Sequence, residues 1–81
     1  MGRVIAQYEL IMTDGCAGSK EIFNTKEAAR QRMIEMYNTL NVNKEDSEYA
    51  KRSYINDSSA VLYLPTEMFT FKIHSVYQDE L

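Results

Sequence analysis

Residues 23–40 read FNTKEAARQRMIEMYNTL, and the period of this run decides the fold. Ala29, Met33, Met36, Tyr37 and Leu40 recur at helical spacing and form one apolar stripe. Glu27, Gln31, Glu35 and Asn38 lie opposite it, in solvent. Ile34 falls off the stripe and is expected at its margin or exposed. Asn24 is the expected N-cap: its side chain can accept from a free N–H of the first turn, and Glu27 can reach back to it. Phe23, just before this cap, is placed to pack on the first turns as a staple.

Working outward from the helix, both flanks alternate at period two. In residues 3–12, Val4, Ala6, Tyr8, Leu10 and Met12 share one face, and Ile5, Gln7, Glu9 and Ile11 share the other. Asp14-Gly15 and Gly18 signal a turn, and Lys20 to Phe23 returns as a short strand. On the far side, AVLYL (residues 60–64) and MFTFKIHSVY (residues 68–77) are joined through Leu64-Pro65-Thr66-Glu67 as a hairpin. Ala60, Leu62 and Leu64 share a face, as do Phe69, Phe71, Ile73 and Tyr77. Lys72 and His74 point the other way. Residues 41–58 are polar, and a structureless loop of that length is unusual in so small a domain. A short second helix is therefore expected over about 44–52, capped by Asn43.

These elements predict a single α+β domain over residues 1–81, in the order β-β-α-β-β. It has a small antiparallel sheet of three to four strands, one main helix on one face, and the short second helix. One helix cannot cover both faces of a sheet. The second face is expected to be wet or covered by another molecule.

Composition bounds the function. The 81 residues are 44% hydrophobic and 26% charged, which is globular rather than disordered. The net charge of -3, from 9 Lys+Arg and 12 Asp+Glu, argues against nucleic acid as a partner and against a polybasic membrane surface. No run approaches the ~18 apolar residues of a membrane span. Gln7 and Glu9 interrupt any signal-peptide core, which predicts a cytoplasmic protein. On that ground the Asn56-Asp57-Ser58 sequon and the Gln78-Asp79-Glu80-Leu81 ending carry little weight. Ala6 stands where a myristoylation signal needs Ser or Thr.

The loop IMTDGCAGSKEIFNT (residues 11–25) holds the chain's only cysteine and two of its three glycines. It is not a phosphate loop. Gly15 and Gly18 are too close together, Ser19 precedes Lys20, and no helix follows directly. A hairpin turn explains its glycines better. One cysteine makes no internal disulfide, and Cys16 has no evident base beside it, so it is expected to be incidental. One Cys and one His cannot build a metal site, and Glu45, Asp46 and Glu48 lack calcium-loop spacing. No catalytic set, cofactor or metal is expected.

The six tyrosines are many for this length without tryptophan, and tyrosine suits protein interfaces. Tyr8, Tyr37 and Tyr77 fit the edge of a core. Tyr49, Tyr54 and Tyr63, with Ile34, are the expected partner contacts, and Lys72 and His74 join them from the open sheet face.

The run KEIFNTKEAARQRMIEMY follows a strand and a Gly-containing turn and precedes a hairpin starting INDSSAV. In this order it is similar to short orphan proteins of anaerobic gut bacteria and their phages and plasmids. That resemblance covers most of the chain and implies a small accessory protein of a mobile element. It supplies no activity and no functional residues. Taken together, the expected function is non-enzymatic binding of another protein or of a second copy as a homodimer. For a phage or plasmid gene, the partner would be a host protein that it inhibits. The alternative, from another class, is a small-molecule binder or minor enzyme using Glu9, Lys72 and His74 on the open face.

Overall fold

The computed structural model describes residues 3–79, with side chains described for residues 7–77. The elements are β1 (Arg3–Thr13), β2 (Gly18–Phe23), α1 (Lys26–Leu40), α2 (Glu48–Arg52), β3 (Tyr54–Ile55), β4 (Ser59–Tyr63) and β5 (Met68–Asp79). The strands form one antiparallel sheet in the order β2-β1-β5-β4-β3. The α+β architecture with one main helix and a short second one is therefore as expected. The sheet has five strands rather than three to four. The added strand is β3, whose two residues lie opposite Val61 and Ala60 across a tight turn closed by Asn56 N–H to the Ser59 carbonyl at 2.7 Å.

Residues directly opposite each other in a ladder share a face of the sheet. Leu10 faces Ile73, Met12 faces Phe71, Ala60 faces Phe71 and Leu62 faces Phe69. This is the face that α1 covers. Leu10, Met33, Ala60, Leu62, Phe69 and Phe71 form the buried core, and Ala29 is buried beside it on α1. Phe23, Met36, Tyr37, Leu40, Leu64 and Ile73 pack around its edge, with the Tyr37 and Phe71 rings 6.4 Å apart. The apolar stripe of α1 lies where its period put it, and Ile34 is half-buried at the margin.

Thr25, and not Asn24, caps α1: its hydroxyl accepts from Ala28 N–H at 3.1 Å. Both residue types cap well, and the register one residue later leaves Glu27 exposed in the first turn, beside the positive end of the helix dipole. Thr25→Ala is expected to cost about 1 kcal/mol, measured by urea unfolding, whereas Asn24→Ala is expected to cost a few tenths. Likewise Ser47, not Asn43, caps α2, accepting from Ala50 N–H at 3.1 Å. The segment before it makes a turn instead, with Ser47 N–H donating to the Lys44 carbonyl.

Asn43 has another role. Its Nδ2 donates to the Tyr63 carbonyl at 2.7 Å, while Tyr63 N–H donates to Ser53 Oγ at 2.9 Å. β3 is too short to reach this part of β4, so two side chains satisfy the strand edge that it leaves.

β1 and β5 run beyond the rest of the sheet. The β2 ladder ends at Tyr8 opposite Phe23, and the β4 ladder ends at Ser59 opposite Lys72. From there Arg3 to Gln7 and Val76 to Asp79 continue as a two-stranded ribbon, with a bulge between Ile5 and Gln7. The molecule measures 52 × 24 × 16 Å. Tyr77 was expected inward with Phe71 and Ile73. It is 52% exposed, because β5 carries it past the core. The expected faces of Val4, Ile5 and Ala6 lie outside the described side chains.

Candidate functional site: the open face of the sheet

The hairpin turn that joins β1 to β2 is set by Asp14. Its Oδ1 accepts from Cys16 N–H at 3.0 Å and Ala17 N–H at 2.8 Å, and Asp14 N–H donates to the Ala17 carbonyl. The bond from Ala17 N–H, then that from Cys16 N–H, holds the Asp14 carboxyl below the usual aspartate range. Gly15 sits at φ +94°, a conformation that side chains rarely adopt. A Cβ at Gly18 would lie 3.1 Å from the Met12 carbonyl oxygen. Residues 11–25 are thus a hairpin leading to a helix cap, as their spacing implied. Cys16 is exposed at its tip.

The helix is held over one face from both sides. Arg32 Nε pairs with Glu21 on β2 at 3.2 Å, and Arg30 pairs with Asp57 in the β3–β4 turn at 3.4 Å. Arg32 also pairs with Glu35 at 3.0 Å. The Glu21 carboxylate, by hydrogen bond and by charge, raises the guanidinium's affinity for its proton. Such exposed pairs orient the helix more than they stabilise it.

The main helix α1 covers only one face of the sheet, and the register shows what the opposite face carries. Thr13 faces Thr70, with their hydroxyls 2.6 Å apart. Glu9 lies between Ile22 on β2 and His74 on β5, and Ile11 lies between Lys20 and Lys72. Val61 lies between Thr70 and Tyr54, and Tyr63 faces Met68.

Two sectors result. One is polar and mixed in charge: Lys20, Glu9, Lys72 and His74, with Ile11 and Ile22 between them. Glu9 pairs here with Lys20, a diagonal neighbour, at 3.4 Å. The other sector is apolar and aromatic: Tyr54, Val61, Tyr63 and Met68, on adjacent strands at the other end of the face. Tyr54 is 48% and Met68 42% exposed, whereas Val61 and Tyr63 are half-buried.

Of the residues expected to touch a partner, the sheet brings Tyr54, Tyr63, Lys72 and His74 onto this face. Ile34 is on α1, in the other layer, and Tyr49 is exposed on α2. Glu9, Lys72 and His74 do share the open face, with Glu9 directly opposite His74. Sequence reading passed over Met68 as a contact, although it alternates with Thr70 and Lys72 and so shows its face.

Among the described residues, three of the concavities lie elsewhere. One is apolar, between Met36 and Leu40 of α1 and Met12 and Phe69 of the sheet. One is polar, lined by Lys26, Glu27, Arg30 and Asp57. The third is at the β1–β2 turn, around Cys16. Among the described residues no group of three or more His, Cys, Asp and Glu side chains could hold a metal ion, and no helix is long and apolar enough to cross a membrane. A scan against protein-family models, a search of curated proteins and a search of solved structures each found no match, so the site stands on its own geometry.

Proposed function

We propose that this chain is a protein-binding module whose partner docks on the open face of the sheet. The observation that carries this is the contiguous patch of Tyr54, Val61, Tyr63 and Met68 on the face opposite α1. Tyrosine offers a large rigid contact with one hydrogen bond, and methionine adapts to irregular surfaces. Both are enriched at the centres of protein interfaces, where a few side chains supply most of the binding energy. The mixed-charge sector of Lys20, Glu9, Lys72 and His74 serves as the polar margin that sets orientation.

A photo-crosslinking amino acid tests this when placed at position 54, 63 or, as control, 31. Gln31 is on the exposed side of α1. In lysate of the native source, positions 54 and 63 should give a discrete adduct that position 31 does not. An adduct from position 31, or none from either tyrosine position, would contradict the assignment.

A further inference from the structure

The strand edges of this sheet are treated unequally. On β4, the edge is paired with β3 and then sealed by Ser53 and Asn43. On β2, the outer edge is six residues long and carries Lys20 and Glu21, both charged. On β1, the part of the ribbon beyond β2 is interrupted by the bulge at Ile5/Gln7. Short, charged and bulged edges resist pairing with another chain. The outer edge of β5 beyond the β4 ladder is guarded less: its one Asp or Glu among the described residues is Asp79, at the end of the strand. Ser75, Val76 and Tyr77 form a regular stretch with no proline, no lysine and no bulge on their own strand.

The direction of its free groups follows from the ladder. Ile73 N–H donates outward, to the Ser58 carbonyl at 2.8 Å. Backbone groups alternate sides along a strand, so those of Ser75 and Tyr77 also aim outward. Among the described residues no strand pairs with them there.

The molecule's dimensions point the same way. Its radius of gyration is 14.7 Å, whereas a compact domain of this length has about 12 Å. Its accessible surface is 5819 Å², about 800 Å² more than a monomer of this mass normally exposes.

We infer that a second copy of this chain pairs antiparallel with the outer edge of β5, through a two-fold axis near Tyr77, to make one continuous sheet. Antiparallel pairing of a strand with its own copy is two-fold by construction, so the same edge serves both partners. Ser75 and Tyr77 then satisfy their outward N–H and C=O groups, and the two Tyr77 side chains become cross-strand neighbours. This edge lies at the opposite end of β5 from Met68, which leaves the Tyr54–Tyr63 patch open in the dimer.

The test is solution mass by light scattering over a wide concentration range, for the native chain and for Tyr77→Pro and Tyr77→Lys. Tyr77 N–H aims away from β1, so proline there removes an outward donor and spares the β1–β5 ladder. The native chain should reach twice the chain mass. Tyr77→Pro should weaken the dimer at least about tenfold, because two symmetry-related hydrogen bonds are lost. Amide exchange of the native chain gives a readout that needs no variant: the Tyr77 amide should slow as concentration rises. A native chain that stays at single mass throughout would overturn the inference. So would a dimer that both Tyr77 variants leave intact with a fast Tyr77 amide, or one dissolved only by Tyr63→Lys.

Discussion

Phe71→Ala is expected to cost the domain about 3–5 kcal/mol, which is a large share of the stability that so short a chain can hold. Phe71 is 1% exposed and, among the described residues, is the largest fully buried side chain. It stands at the centre of the fold, opposite Met12 on β1 and Ala60 on β4, with Tyr37 of α1 above it. Its removal leaves a cavity that three strands and a helix would have to close together. The neighbouring Lys72 points to the open face, and Lys72→Ala should stay within about 0.5 kcal/mol. Urea unfolding of the two variants tests the layer assignment on adjacent residues. Similar midpoints for both would mean that β5 is not facing the way its ladder indicates.

The second large effect is on binding. With the partner captured through position 63, the double variant Tyr54→Ala, Tyr63→Ala should lose at least about 30-fold in affinity, equivalent to ~2 kcal/mol. Tyr54 is 48% exposed and Tyr63 half-buried, so neither replacement opens the core. The same variant should keep its unfolding free energy within about 1 kcal/mol. Titration calorimetry and urea unfolding on one preparation separate the two quantities. Ile34→Ala should leave affinity unchanged, since Ile34 is on α1, in the other layer.

Much of this is legible in the residues themselves. Alternation in residues 60–64 and 68–74 assigns Leu62, Phe69 and Phe71 to the core and Lys72 and His74 to the open face. The stripe from Ala29 to Leu40 assigns the covering side of α1. Asp14-Gly15 and Leu64-Pro65 mark the hairpins, and Leu64 N–H does close its turn on the Glu67 carbonyl at 2.9 Å. What was not legible depends on contacts distant in sequence or on single-residue registers. Asn24 and Thr25 are both good caps, and only the backbone position of Ala28 decides between them. β3 is too short to show a period, and its pairing with Val61 makes it a strand. The bulge at Ile5/Gln7 leaves no trace in residues 3–12, because apolar residues fall on both faces there. The contiguity of the Tyr54–Met68 patch needed the ladders, since its members come from three strands.

Hydroxyl-radical footprinting of the bound and free protein tests the central claim most directly, because tyrosine and methionine are both labelled by it. Binding should protect Tyr54, Tyr63 and Met68, and leave Met36 labelled as in the free chain. Protection of Met36, on the helix side, with Tyr63 and Met68 still labelled would move the function to the other layer and contradict the account.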